Sequence, residues 1–108
     1  MFVFGGANNP SRGGNFQSFY SCAFDFFNSK AEPNAPLYRW EKIKSEAPKA
    51  RDSHSCVAFD KCLIMFGGSA TGRDDSFGEI QRFCLLKKEW AKLSIDGVCP
   101  RPREAHIC

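Results

Sequence analysis

Two histidines and six cysteines are the residues of this 108-residue chain best suited to chemistry. His54 and Cys56 stand two apart, and Cys62 follows closely. On a strand, His-x-Cys puts both side chains on one face, with Cys62 across the hairpin. Such a trio raises the question of zinc, which takes Cys and His in sets of four, or three plus water. No fourth ligand is evident. The phrase also recurs as His106-x-Cys108, which favours a repeated structural feature over a metal site. A Cys–His nucleophile pair needs an orienting third group and an oxyanion donor, and the sequence names neither. Arg51 and Arg103 suit either anion or acidic-peptide binding or a repeated structural role, bonding backbone between units. Their shared offset from a following His favours the structural role. The run from Gly67-Gly68 to Gly72-Arg73 lacks the spacing and Lys-Ser/Thr ending of a phosphate loop, and no helix follows it. The sequence thus assigns no catalytic residue, no metal ligand and no cofactor.

The length of the chain that carries these residues fits one small domain. Eleven Phe favour strands and packed aromatic contacts. The net charge of +3 is spread rather than clustered, so no basic stripe points to nucleic acid. No run approaches a membrane span, and the N-terminus lacks the marks of a signal peptide. A cytoplasmic protein is expected. The cysteines (Cys22, Cys56, Cys62, Cys84, Cys99 and Cys108) contain no C-x-x-C, and without a secretory context they read as free, mostly buried thiols.

The organising stretch is Cys62 to Gly68, a short apolar run that stops on two glycines. It is too short for a typical helix and suits a strand buried on both faces. Met1 to Gly6 repeats the phrase. Further strands are predicted over Ser18–Phe27, Leu37–Ile43, Asp52–Phe59, Phe77–Leu86 and Glu89–Leu93, with a new one starting near Glu104. Asp60-Lys61 is a tight hairpin turn, and polar loops fill Ala7–Gln17, Asn28–Pro36 and Ser69–Ser76. No segment has sustained helical periodicity, so the fold class is all-β.

These strands repeat. Trp40 recurs as Trp90, 50 residues on; Pro48, Arg51 and His54 recur as Pro100, Arg103 and His106, each 52 on. The pairs Gly5-Gly6 and Gly67-Gly68 stand 62 apart. Second Gly to Trp takes 34 residues in the first copy and 22 in the second. Equating Phe24 with Phe83 puts three of the twelve extra residues in the loop after Gly-Gly and nine in Asn28–Pro36. Such loops tolerate insertion.

The order Pro-x-x-Arg-x-x-His, apolar strand, Gly-Gly, a strand with Ile80 and Phe83, then Trp resembles the kelch repeat, one four-stranded blade of a β-propeller, with a period of about 50 residues. The second copy carries every element, although Cys84 stands where the family often has Asp. The first keeps Phe2 to Gly6, Phe24-Asp25 and Trp40. The resemblance covers essentially the whole chain. It implies a partial blade over 1–50 (strands two to four), a complete blade over 51–98 and the start of another over 99–108. Propellers carry about 4–8 blades, so the chain reads as a fragment whose remaining blades lie in a longer parent chain. Self-association to complete a ring fits the cut points less well.

The resemblance further implies that Gly5, Gly6, Trp40, Arg51, His54, Gly67, Gly68, Trp90, Arg103 and His106 are structural motif residues. The loops joining strands two and three emerge at the same end as the connections between blades. They bring Arg12, Asn15, Lys49, Arg73, Asp74 and Asp75 toward one face, where kelch-like propellers commonly bind protein partners. A non-enzymatic interaction module or scaffold is expected, with an unidentified protein partner and neither nucleic acid nor membrane. Some relatives present substrates to ubiquitin ligases. Another class, resembling the copper enzyme galactose oxidase, would need Tyr and His ligands and a Tyr–Cys link; Tyr20 and Tyr38 are the only tyrosines.

Overall fold

Short runs of Phe, Tyr, Val and Ile broken by Gly, Pro and Asn favour strands joined by turns. The computed structural model, which describes residues 1–8, 14–24, 38–70 and 76–108, has that architecture. Among the described residues seven strands form in chain order: β1 (Phe2–Phe4), β2 (Phe19–Phe24), β3 (Tyr38–Lys42), β4 (Asp52–Phe59), β5 (Cys62–Ser69), β6 (Ile80–Cys84) and β7 (Glu89–Lys92). All neighbours are antiparallel. They make a three-stranded sheet, β1-β2-β3, and a four-stranded sheet, β4-β5-β6-β7. The described residues contain no helix, so the fold is all-β, and the two sheets do not close into a ring.

Asp60-Lys61 turns β4 into β5, with Phe59 opposite Cys62. Asp60 accepts a positive φ of 51° there, a conformation its short polar side chain tolerates. The sheets meet through side chains. Phe19 of β2 and Leu63 and Phe83 of β5 and β6 form the buried core, flanked by Phe4, Ile43, Leu85 and Trp90. The Phe19 and Phe83 rings meet edge to face at 4.6 Å, a favourable aromatic geometry.

Several expectations change. β5 is fully buried on one side only: Leu63 and Met65 are covered, whereas Ile64 and Phe66 are half-buried. The latter face away from the first sheet. β6 begins at Ile80 rather than Phe77. The ladder ends at Phe66 opposite Ile80, and the Phe77 N–H reaches the Gly68 carbonyl one residue out of that register. The expected strand near Glu104 is absent. That segment has no strand partner among the described residues, and Ala105 turns it with a φ of 50°.

Register also moves the insertion. Trp40 faces Cys22, and Trp90 faces Phe83. Cys22, not Phe24, is therefore the counterpart of Phe83. Cys22 to Trp40 takes 18 positions where Phe83 to Trp90 takes seven. Eleven of the twelve extra residues thus lie in the β2–β3 connection, and one follows Gly-Gly.

Candidate functional site

The repeated motif builds a clasp between consecutive units. The Gly6 N–H donates to the Arg51 carbonyl oxygen at 2.9 Å, and the Gly68 N–H donates to that of Arg103 at 2.9 Å. Each glycine pair thus grips the arginine of the following copy. The contact is close because the position carries no side chain. A Cβ on Gly5 would collide with the Arg51 carbonyl, and one on Gly67 with the Arg103 carbonyl. His54 sets its ring edge-on to Phe4 at 5.7 Å, and His106 does the same to Phe66 at 5.4 Å. Ser53 and Ala105, each just before its His, share a positive φ of 53° and 50°.

The two arginines then diverge. Arg51 is fully buried. Its Nη1 donates to the Gly67 carbonyl at 3.0 Å, its Nε to the Lys49 carbonyl at 3.1 Å, and its Nη2 to Glu79 Oε1 at 2.7 Å. The guanidinium also lies over the Phe77 ring, 3.9 Å from its centre. A buried cation persists only when paired and hydrogen-bonded, and Arg51 meets that condition. Its side chain anchors within its own sheet, so the guanidinium does not make the expected bond to backbone between units; the Arg51 main-chain carbonyl joins the two units instead. Arg103 is exposed, and among the described residues its side chain donates to the Arg101 carbonyl at 3.2 Å.

Burial alone would raise the Glu79 carboxyl. Hydrogen bonds from Arg51 and Gln81, with the charges of Arg51 and Lys92, bring it below the usual range. His54 is lowered, first by burial and then by the Arg51 charge, and Asp52 only partly offsets this.

Trp90 packs against Phe83, Phe4 and Phe19 at 5.2–5.3 Å. Trp40 is 46% exposed, with no second sheet against its face among the described residues.

The His54, Cys56 and Cys62 trio that raised the question of zinc separates. Cys62 faces Phe59, and Leu63 faces Ala58. His54, Cys56 and Ala58 point toward the first sheet, so Cys62 lies on the opposite side of the hairpin. Among the described residues no three His, Cys, Asp or Glu side chains gather as a metal set. His106 Nε2 meets Ser55 Oγ at 2.7 Å, but its Nδ1 has no partner. Among the described residues no group holds Nδ1 to orient the ring as a base must be oriented. Tyr20 and Tyr38 have different register partners, Lys42 and Phe24, and are not opposed. The cysteines are free, but only Cys22 is buried; Cys62 and Cys84 are half-buried, and Cys56, Cys99 and Cys108 are exposed.

Of the six residues expected on the loop face, Arg12, Arg73, Asp74 and Asp75 lie outside the described residues. Asn15 is half-buried and spends its amide inside the molecule. Its Nδ2 donates to the Ser69 carbonyl at 2.8 Å and to Asp52 Oδ1 at 3.2 Å. Ser69 Oγ donates to the same Asp52 oxygen at 3.4 Å. Lys49 is exposed. Two positions before Lys49 in the chain, the Ala47 carbonyl accepts from Gln17 Nε2 at 2.8 Å. A cleft of about 490 Å³ opens here, bordered by Gln17, Ser18, Lys42, Lys44 and Glu46. Sequence reading missed Asp52, Ser69, Gln17 and Glu79. Asp52 and Ser69 adjoin the Arg and Gly-Gly motif positions, which was the available signal. Glu79 gave none beyond being an acid at the head of an apolar strand.

Antiparallel sheets of three and four strands, stacked through aromatic side chains and joined by a glycine-to-arginine clasp, are blades of a β-propeller. The KLHDC2/KLHL20/DRC7 Kelch-repeats domain matches residues 1–108, and the chain belongs to this kelch-repeat family. It is similar to an F-box/kelch-repeat protein of Arabidopsis thaliana, 30% identical over 79 residues, covering 68% of this chain and 16% of that protein. Kelch domain-containing protein 1 of Mus musculus is 27% identical over 132 positions, covering all of this chain and 30% of that protein. The flagellar outer-arm dynein alpha chain of Chlamydomonas reinhardtii is 32% identical over 72 residues, covering 65% of this chain and 2% of that protein. The chain thus spans less than a third of these relatives. No helix among the described residues is long and apolar enough to cross a membrane.

Proposed function

We propose that this chain forms part of a non-enzymatic kelch propeller that binds a protein partner through the loops at its Gly-Gly end. One observation carries this reading. Segments from both sheets converge at that end and are tied together there, Asn15 to Asp52 and Ser69, and Gln17 to Ala47. A rigid base that gathers variable loops is how β scaffolds present binding residues. Arg12, Lys49, Arg73, Asp74 and Asp75 are the proposed contacts, whereas Asn15 holds the platform. In this reading the chain supplies a partial blade over 1–50, a complete blade over 51–98 and the start of the next over 99–108. The other blades come from the parent chain.

The test is affinity capture with the wild-type protein, Arg73→Ala, Asp74→Ala and a control at the opposite end, Lys87→Ala. The loop variants should lose a partner that the control retains. Unchanged recovery across all three would remove these residues from the interface. A second reading draws on the F-box/kelch-repeat relative: the partner is a substrate presented to a ubiquitin ligase. In that case the captured protein should accumulate when the proteasome is blocked, and the loop variants should abolish its ubiquitin conjugates.

A further inference from the structure

We infer that Cys62 and Cys84 form a thiol modification site, closing into a reversible cross-strand disulfide on exchange with a small-molecule disulfide. The two residues are direct register partners across β5 and β6. Next to them, the Leu85 N–H donates to the Lys61 carbonyl at 2.9 Å. That bond makes Lys61 and Leu85 a hydrogen-bonded pair, so Cys62 and Cys84 occupy the adjacent non-hydrogen-bonded position. Antiparallel strands bring Cα atoms to about 4.5 Å at such positions, with side chains on one face and at their closest. A disulfide needs about 4.4–6.8 Å. Among the described residues, no other two cysteines face each other across a ladder.

Access and reactivity agree with the geometry. Both thiols are half-buried and stand at strand ends, beside the turns at Asp60-Lys61 and 85–88. The nearby backbone amides of Lys87 and Leu86, with the positive charges of Lys87 and Arg82, lower the Cys84 thiol from its ordinary value. Cys56 shifts the other way, raised by desolvation and by Cys108. Thiolate is the attacking form, which makes Cys84 the entry point.

The exchange balances in two steps. The Cys84 thiolate attacks one sulfur of the small disulfide, forms a mixed disulfide and expels one small thiolate. Cys62, after losing its proton, attacks the Cys84 sulfur and expels the second. Two protein thiols are oxidised, one small disulfide is reduced to two thiols, and the two protein protons pass to the departing thiolates. The bond would close the segment that carries Gly67, Gly68 and the loop at 69–76. Half exposed, it belongs with labile disulfides rather than structural ones.

The protein is incubated with oxidised glutathione, its remaining thiols are blocked with N-ethylmaleimide, and it is cleaved with trypsin. Peptides 62–73 and 83–87 should appear joined, two hydrogens below their summed mass, and separate in dithiothreitol. Cys62→Ser should trap a glutathione adduct on Cys84 at several times the wild-type level. The same incubation in urea needs no variant and should scatter the cross-links among all six cysteines. Recovery of Cys62 and Cys84 as alkylated thiols while another pair joins first would overturn the assignment. Equal joining of the 62–73 and 83–87 peptides in folded and unfolded protein would do the same.

Discussion

At the scale of single residues, two arginines at the same motif position do different work. Arg51 is enclosed by Glu79, the Gly67 and Lys49 carbonyls and the Phe77 ring. Arg51→Ala removes the nearer cation of Glu79 and leaves the buried Gly67 carbonyl without this donor, and should cost about 3 kcal/mol, the range for breaking a buried ion pair. Arg103→Ala removes one exposed bond and should cost below about 0.5 kcal/mol. Urea unfolding of the two variants measures the contrast; equal losses would show that Arg51 burial adds nothing. The neighbouring His54 gives a pH signature. Its folded form resists protonation, so the unfolded chain binds the proton first as pH falls below the ordinary value of 6.5. Stability is therefore full above that value and declines below it. Glu79, held below its ordinary 4.5, adds a second decline as pH falls past that point. His54→Phe keeps a ring against Phe4 and should erase the upper decline while leaving the lower. A urea midpoint that still drops near the upper value in this variant would assign the effect elsewhere.

At the scale of elements, periodicity was a good guide where burial dictates it. β4 has the bounds its alternation predicts, and the Gly-Gly strand and the Trp-bearing strands pair in the expected order. Side-chain facing was harder to read. Cys62 follows a two-residue turn, and only the register of Phe59 with Cys62 puts it on the face opposite His54. Phe83 looked equivalent to Phe24 because both are Phe, but register pairs each Trp with Phe83 or Cys22. The left-handed conformations of Ser53 and Ala105 carry no sequence mark, since neither residue is Gly or Asn. Of the candidate contacts, only Asn15 and Lys49 fall among the described residues, and the sequence could not show Asn15 turned inward by Asp52 and Ser69. The glycine pairs make the element-scale prediction. Gly5 has a φ of 70° and its missing Cβ faces the Arg51 carbonyl; Gly6 has a φ of 97° with nothing near. Gly5→Ala should cost on the order of 2 kcal/mol or more, through backbone strain plus displacement of the next unit. Gly6→Ala bears the strain alone, about 1 kcal/mol. Urea midpoints that rank the two in reverse would show that the clasp does not depend on close approach.

At the scale of the whole molecule, the two sheets depend on one another through few residues. Among the described residues, backbone links between them are sparse: Gly6 to Arg51 is one, and Asn15 reaches Ser69 through its side chain. The apolar contact centres on Phe19, whose ring touches Phe2, Phe4, Phe83 and Trp90. Three of those partners, with Phe19, belong to both sheets' facing surfaces, so deleting this ring removes packing that neither sheet can restore alone. Phe19→Ala should cost about 3–5 kcal/mol as a buried aromatic truncation. It should also uncouple the sheets, because the loss falls on their interface rather than within either ladder. Trp40→Phe provides the reporter, since Trp40 is half exposed and its removal leaves Trp90, at the interface, as the single indole. In that background, Trp90 fluorescence and far-ultraviolet circular dichroism should give one urea midpoint. Adding Phe19→Ala should move the fluorescence transition to lower urea than the dichroism transition, because the interface opens before the ladders do. If the two signals stay coincident and merely shift together, Phe19 stabilises the sheets without joining them, and cooperativity between units must come from the glycine-to-arginine clasp instead.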